Sequence, residues 1–272
     1  MLVSRVVAVY FSATGKTAKV AGVLANALAI SLKVPMETVD FTKPADRETE
    51  YSFGETDLVV FGMPTYAGKL PNKLLPFVQS SFHGNGALAV AVVTFGNRSF
   101  DNSLAELCAT LEADGFHTVS AGAFAAQHAF SETLAAGRPD DADLAELARL
   151  GAATIGKLRG TEIPAPVAVD GDAAAPYYTP RGLDGEPKVF LKAKPKTDAA
   201  KCTNCGVCAA VCPMGSIDAG NAAEVTGICI KCHACVRICP TGAKYFDDEA
   251  FLSHKAMLER DYQRRAEPKL FY

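Results

Sequence analysis

The first 160 residues alternate short apolar runs with segments in which apolar side chains recur every three or four positions. The apolar runs predict five strands, and four of them are almost continuously apolar, as expected for strands covered on both faces. The predicted strands are Arg5–Tyr10, Met36–Phe41, Asp57–Gly62, Ala87–Phe95 and Thr118–Phe124. This alternation of strands and helices predicts an α/β domain with a parallel sheet.

Three of the intervening segments have an apolar face at helical spacing. The apolar positions are Val20, Ala21, Leu24 and Leu28, then Leu104, Leu107, Cys108 and Leu111, then Leu144, Leu147, Ala148, Ile155 and Leu158. Because Cys108 lies on such a face, we expect it to be a small buried core residue and not a redox group.

The pattern changes after Gly160. The next stretch is rich in Pro, Ala, Gly and Asp and predicts an irregular connector, which Tyr177, Tyr178 and Phe190 are expected to anchor to a domain surface. Near the end of the chain, acidic residues precede basic ones as a helix dipole prefers, which predicts a terminal helix that packs back on the body. The expected divisions are residues 1–160, a connector 161–195, a small domain 196–247 and a terminal helix and tail 248–272.

Eight of the nine cysteines lie in two copies of one pattern, C-x2-C-x2-C-x3-C-P. The copies align at an offset of 27 residues and predict a pseudo-two-fold module. Thiolates at this spacing bind a [4Fe-4S] cluster, and the fourth cysteine of each run ligates the other cluster. One predicted ligand set is Cys202, Cys205, Cys208 and Cys239, and the other is Cys229, Cys232, Cys235 and Cys212.

Zinc binding and disulfide formation are two alternative uses of these cysteines. The segment from Cys205 to Cys232 has the spacing of a zinc ribbon, but that interpretation leaves four cysteines unexplained. Disulfides require an oxidising compartment. The N-terminal sequence has no separate apolar region followed by a small-residue cleavage site, so we expect a cytoplasmic protein.

Length and charge set further limits. The 272 residues suit about two domains of ~150 residues each. A net charge of −3 without a basic stripe argues against nucleic-acid binding. No apolar stretch approaches the ~20 residues that span a bilayer, so we expect no membrane contact.

The loop after the first predicted strand consists of hydroxyl-bearing and small residues and opens directly into a helix. Its residues are Ser12, Ala13, Thr14, Gly15, Lys16 and Thr17. The hydroxyls of Ser12, Thr14 and Thr17, together with helix N-terminal amides, predict a phosphate pocket. Tyr10 occupies the position of the first glycine of a nucleoside-triphosphate loop, and no GxGxxG motif is present. A hydroxyl-rich helix cap that binds nothing is the alternative.

These residues resemble the phosphate loop of flavodoxins, and two later loops fall where that family contacts its flavin ring. The later loops are Pro64, Thr65, Tyr66, Ala67, Gly68 and Lys69, and Thr94, Phe95, Gly96, Asn97 and Arg98. With the two cysteine runs, the chain is similar to the flavodoxin-ferredoxin fusion proteins of anaerobic bacteria and archaea. The resemblance implies FMN, two [4Fe-4S] clusters, a flavodoxin-like doubly wound five-stranded parallel sheet of order 2-1-3-4-5, and a small α+β two-cluster ferredoxin domain.

Several side chains have predicted roles. We expect Tyr66 to stack on the flavin, although it could instead pack on the domain surface, and Asn97 to meet the pyrimidine edge. Lys69 and Arg98 are expected to raise the flavin potential by placing positive charge near the ring. His233, beside Cys232, is either a residue that makes a cluster's potential pH-dependent or a loop residue without function.

The favoured function is electron transfer between the clusters, which carry one electron at a time, and FMN, which holds two, with a redox protein of ferredoxin, flavodoxin or oxidoreductase type as partner. No catalytic side chain is assigned. One alternative is an FMN-dependent oxidoreductase that reduces a quinone or another small acceptor. Another is a zinc-stapled interaction module on a cofactor-free α/β domain.

Overall fold

The computed structural model describes residues 3–160 and 163–272. The strands are β1 (Arg5–Tyr10), β2 (Met36–Asp40), β3 (Tyr51–Ser52), β4 (Asp57–Pro64), β5 (Phe82–His83), β6 (Leu88–Phe95), β7 (His117–Ala125), β8 (Lys196–Thr197), β9 (Lys244–Tyr245) and β10 (Lys269–Phe271). The helices are α1 (Lys16–Leu32), α2 (Leu75–Ser81), α3 (Ser103–Ala113), α4 (Asp141–Leu158), α5 (Val207–Ala210), α6 (Ala234–Ile238) and α7 (Glu249–Asp261), with a 3-10 helix at Pro44–Arg47.

The central sheet contains the five strands that the apolar runs predict, in the spatial order β7-β6-β4-β1-β2, and all neighbouring pairs among them are parallel. When these five strands are numbered by their order along the chain, their spatial order across the sheet is 2-1-3-4-5. A sixth strand, β10, pairs antiparallel with β7 at the edge. The prediction of five strands was wrong, because the sheet contains this sixth strand. The three residues of β10 are too few to show the alternation of apolar and polar residues that marks a strand.

The two faces of the sheet bury separate cores because side chains along a strand alternate between faces. On β1, Val7 and Val9 join the core under α2 and α3, whereas Val6 and Ala8 join the core under α1 and α4. Cys108 is 6% exposed within the first core, which confirms it as a packing residue.

Residues 196–247, the cysteine domain, contain the β8–β9 pair and the short helices α5 and α6. The internal repeat is visible in the backbone. Residues 27 positions apart share left-handed φ values: Asn204 and Lys231 (51° and 55°), Gly206 and His233 (75° and 61°), and Gly215 and Gly242 (58° and 64°). The two runs therefore fold as equivalent turns.

The connector, residues 163–195, runs against the N-terminal domain, residues 3–160. The Val167 amide donates to the Thr118 carbonyl, and the Tyr177 hydroxyl donates to the Leu70 carbonyl. The C-terminal segment, residues 248–272, packs Met257 and Leu258 of α7 on Leu134 and then adds β10 to the sheet. Both segments also reach the cysteine domain, where Phe190 of the connector and Phe251 of α7 pack in one cluster with Phe246.

Among the described residues, no helix combines the length and the apolar character that crossing a bilayer requires.

Candidate functional site

The phosphate loop lies at the carboxyl end of β1 and leads into α1. Gly15 is the N-cap of α1 with φ of 79°, and it supplies no side-chain cap. The Ser12 hydroxyl oxygen accepts a hydrogen bond from the Ala18 amide at 3.0 Å, which folds the loop over the first turn. Since first-turn amides need an acceptor from outside the helix, this loop suits a phosphate.

Thr17 does not point toward this loop. Its hydroxyl is buried and shares a 2.7 Å hydrogen bond with the hydroxyl of Thr94 on β6. The helix turns the Thr17 side chain onto the sheet, and its predicted role as a phosphate-binding hydroxyl stays a prediction. The Thr94 carbonyl accepts a bond from the Thr65 amide, so Thr94 ties the second and third loops together.

The second loop makes a tight turn that presents Tyr66. Ala67 and Gly68 both have positive φ, 47° and 77°, and the backbones of Tyr66 and Lys69 exchange two hydrogen bonds. Tyr66 is half-buried. Burial raises the pKa of its phenol well above the usual value, and the nearby Cys232 and Cys229 add to the rise. The turn thus places the predicted stacking residue close to the cysteine domain.

The Lys69 side chain points into the protein and is 4% exposed. Its ammonium lies 3.0 Å from a carboxylate oxygen of Glu106 and donates to the carbonyls of Ala173 and Ala175. A buried ammonium requires such partners. Its charge is therefore neutralised within the protein.

Asn97 is 2% exposed and has φ of 69°. Its amide nitrogen donates to the carbonyls of Tyr262 and Arg264 at 2.7 and 2.6 Å, and its oxygen accepts from the Ala266 amide at 3.1 Å. The expectation that this side chain meets a pyrimidine edge was wrong, because the C-terminal segment occupies its donors and acceptor. The adjacent Gly96 lies against the His128 ring, where a Cβ would be 2.1 Å from a ring carbon.

Arg98 is also paired. It forms a salt bridge with Asp101 and lies 3.8 Å from the centre of the Tyr178 ring. Since Lys69 and Arg98 each have a carboxylate partner, the predicted increase of the flavin potential by two free cations does not follow from this structure.

The eight cysteines of the two runs line two separate cavities. One cavity contains Cys229, Cys232, Cys235 and, from the other run, Cys212. The other contains Cys202, Cys205, Cys208 and, from the other run, Cys239. In the described ranges no three or more His, Cys, Asp or Glu residues form a site for a single metal ion. Each cavity offers four sulfurs, which is the donor set of a [4Fe-4S] cluster.

Backbone amides point at the sulfurs in the same way in both runs. The amides of Asn204 and Lys231 donate to the first cysteine of their run, each at 3.4 Å. The amides of Ser216 and Ala243 donate to Cys212 and Cys239 at 3.3 and 3.2 Å. Amide donors stabilise the negative charge of ligated sulfur and raise the potential of a cluster.

His233 occupies the position that a glycine has in the first run. Its ring stacks on Phe246 with 4.6 Å between centres, and its Nε2 atom is buried without a hydrogen-bond partner in the described chain. Burial lowers the pKa of His233 to about 3. A role of His233 in the pH dependence of a cluster's potential stays a prediction.

The cysteine domain covers the edge of the sheet where the phosphate loop lies. A cavity of 290 Å³ separates them, lined by Ala13, Thr14, Lys16, Gln127 and Ala129 on one side and by Val211, Ala234, Arg237 and Ile238 on the other. This volume is close to the lower limit for cofactor pockets. This cavity therefore has walls from both domains, and of the three predicted flavin loops only the first borders it.

Two arginines fix this arrangement. Arg237 on α6 donates to the carbonyls of His128, Ala129 and Ser131 and to the Glu132 carboxylate. Arg47 donates to the Pro213 carbonyl from the opposite side of the interface. Sequence analysis missed both residues, and no local pattern marks them, because their partners lie more than 100 positions away.

Comparison with known families agrees with this division. A family model described as a flavodoxin domain matches residues 7–102, and one described as a 4Fe-4S dicluster domain matches residues 194–240. The chain therefore has the composition of a flavodoxin-ferredoxin fusion protein. Its two matched domains are of the types that bind FMN and iron–sulfur clusters.

Solved structures resemble the N-terminal domain. A flavodoxin from the domain Archaea is 18% identical, with 57% of this chain and 99% of that chain covered and a TM-score of 0.40. Flavodoxin 2 from Bacillus cereus is 16% identical, with 57% and 99% covered and a TM-score of 0.41. An NADH:FMN oxidoreductase is 16% identical, with 59% and 92% covered and a TM-score of 0.41. At these scores the likeness adds no argument of its own. No curated protein matches the chain.

Proposed function

We propose that the protein binds one FMN and two [4Fe-4S] clusters and couples one-electron to two-electron carriers for a partner redox protein. The observation that carries the proposal is the docking of the cysteine domain over the sheet edge where the phosphate loop lies, with one cavity lined by residues of both domains. Electron transfer requires cofactors close together, and this interface supplies that proximity without domain movement.

The residues of the N-terminal domain hold the flavin at two ends. The amides of the α1 N-terminus and the Thr14 hydroxyl bind the phosphate group, and Ser12 keeps the loop folded over them. Tyr66 gives the ring a flat apolar surface. The loop of residues 94–98 is held rigid from behind by the C-terminal segment.

The residues of the cysteine domain hold the clusters in two crossed sets, each with three sulfurs from one run and one from the other. Bound clusters exchange single electrons, whereas bound FMN takes up or releases either one or two. Cys208, Cys232 and Cys235 are buried, so the surrounding chain keeps water away from their sulfur atoms.

An anaerobic redox titration followed by optical and EPR spectroscopy tests this proposal. We expect the purified protein to show flavin absorption together with cluster signals in its reduced state. A reduced one-electron carrier protein should reduce the flavin, and the process should not need an added quinone. A colourless protein would contradict the proposal, and rapid quinone turnover would favour the oxidoreductase alternative instead.

A further inference from the structure

The two cysteine cavities differ in their relation to the flavin loops. The cavity of Cys212, Cys229, Cys232 and Cys235 shares a wall, Ala234, with the cavity that borders the phosphate loop. The cavity of the other four cysteines is lined solely by residues between Thr197 and Lys244, and none of them borders the phosphate-loop cavity.

Packing gives the same distinction. Met214 and Ile230 line the first cysteine cavity and also pack on the hydrophobic core of the N-terminal domain. His233, in the same lining, lies 4.9 Å from Phe130 of the N-terminal domain, measured between ring centres. The wall of this cavity is thus built into the domain interface.

A hydrogen bond across the interface agrees. Arg47 of the N-terminal domain donates to the carbonyl of Pro213, the residue next to Cys212. The first cysteine set is therefore held directly against the N-terminal domain.

The second set faces outward. Cys205 is exposed, and Val207, which lines the same cavity, is 36% exposed. Cys208 of this set is buried, whereas the first set has two buried cysteines, Cys232 and Cys235, and no exposed one.

We propose that the site of Cys212, Cys229, Cys232 and Cys235 is the iron–sulfur site next to the flavin, and that the site of Cys202, Cys205, Cys208 and Cys239 is the one that faces external carriers. This inference rests on the proposed function. With clusters and FMN bound, the inner set would hold the cluster that exchanges single electrons with the flavin, and the outer set would hold the cluster that exchanges them with an external iron–sulfur or flavin carrier. Each two-electron change of the flavin would need two such single-electron transfers.

The internal repeat supplies a matched pair of variants that mark the two sites separately. Lys231 and Asn204 are equivalent residues, each two positions after the first cysteine of its run, with the same left-handed backbone. Lys231→Asn removes a cation beside Cys229, and Asn204→Lys adds one beside Cys202. Each variant introduces the residue that the equivalent position of the other run already holds, so we expect both to fold. A unit charge near a partly buried site changes a one-electron equilibrium by roughly tenfold. Each variant therefore shifts the midpoint of one cluster and identifies its EPR signal.

The test compares the FMN-loaded and the FMN-free full chain by EPR-monitored redox titration. We expect FMN to change the midpoint and line shape of the cluster that Lys231→Asn shifts, and to leave the cluster that Asn204→Lys shifts unchanged. A soluble nickel chelate should broaden the second signal and spare the first. An FMN effect on the Asn204-marked cluster, on both equally or on neither would overturn the inference.

The nickel chelate measurement decides the question even where one variant assembles poorly. A cluster signal that responds both to FMN and to the chelate would contradict the inference. Failure of the proposed function gives a different result, since the chain would then bind no FMN or form no clusters at all.

Discussion

Asn97 shows how one side chain connects the C-terminal segment to a flavin loop. Its amide bonds to two carbonyls and one backbone amide of residues 262–266. Arg264 adds bonds from its guanidinium to the carbonyls of Asn97 and Arg98. The rigidity of this loop therefore depends on residues at the other end of the chain.

We predict that Asn97→Gly weakens FMN binding while leaving the clusters intact. Glycine keeps the left-handed backbone, so the variant removes the hydrogen bonds without adding strain. Leaving buried carbonyls without donors costs about 1–3 kcal/mol each. Fluorescence titration with FMN should show a weaker affinity than in the control Gln263→Ala, whose side chain is exposed and bonds within its own helix end. Equal affinities in the two variants would show that the C-terminal segment does not support the loop.

Asp114 affects the stability of the fold and lies outside the predicted cofactor sites. It is the C-cap of α3, where a carboxylate meets the negative end of the helix dipole, and its Oδ2 atom is buried without a hydrogen-bond partner in the described ranges. Burial raises the pKa of this carboxyl to about 6, although His83 partly opposes the rise.

We predict that Asp114→Asn stabilises the protein at pH 8 by about 1 kcal/mol, a value reduced for partial solvent screening. A folded-state pKa above the unfolded value means that ionisation opposes folding. The penalty is full above pH 6 and fades as the pH falls toward the unfolded value of ~4. Anaerobic thermal unfolding should show a higher Tm for the variant at pH 8 and a smaller difference at pH 5. A difference that grows in acid would refute the assignment.

Helix α6 is the element that joins the two domains, although it has five residues. Arg237 in its last turn saturates three carbonyls of the loop that follows β7. The neighbouring Ala234 separates the flavin-side cavity from one cysteine site. This element lines one cysteine site and also forms a wall of the cavity beside the phosphate loop.

We predict that Arg237→Ala loosens the domain interface by about 2 kcal/mol, because hydrogen bonds from a charged donor are lost and buried carbonyls lose their partner. Hydrogen exchange should become faster at residues 127–132 while the central strands keep their protection. Arg149→Ala is the control, since Arg149 is exposed and pairs with Glu146 on the surface of α4. Unchanged exchange at residues 127–132 would show that Arg237 does not hold the interface.

Local patterns predicted the strands and the repeated cysteine turns because each depends on residues close in sequence. They did not predict the directions of the Lys69 and Asn97 side chains. The partners of Lys69 lie at Glu106 and in the connector, and those of Asn97 lie near the C-terminus. Such contacts form only when distant segments pack together, and the spacing of apolar residues along the chain does not predict them. β10 escaped prediction for the same reason, since the sheet edge it pairs with decides its conformation.

At the scale of the whole molecule, the cysteine domain lacks a large core of its own. Its buried hydrophobic core consists of Cys208, Ile217, Ala222 and Cys235. Two of these four residues, Cys208 and Cys235, are predicted iron–sulfur ligands. In a domain of this size, metal binding supplies much of the folding free energy.

We predict that iron chelation unfolds residues 196–247 before the central sheet. Hydrogen exchange after anaerobic chelation should show loss of protection there first, with β4 and β6 still protected. FMN affinity should fall as well, because α6 forms one wall of the flavin cavity. Simultaneous loss of protection in both domains would contradict a separately metal-stabilised cysteine domain.

Chemical analysis of anaerobically purified protein determines whether one chain holds a flavin and two cubane clusters. We expect one FMN, about eight iron atoms and about eight acid-labile sulfides per polypeptide. Zinc in place of iron and sulfide, or a polypeptide that retains no FMN when the flavin is supplied, would contradict it.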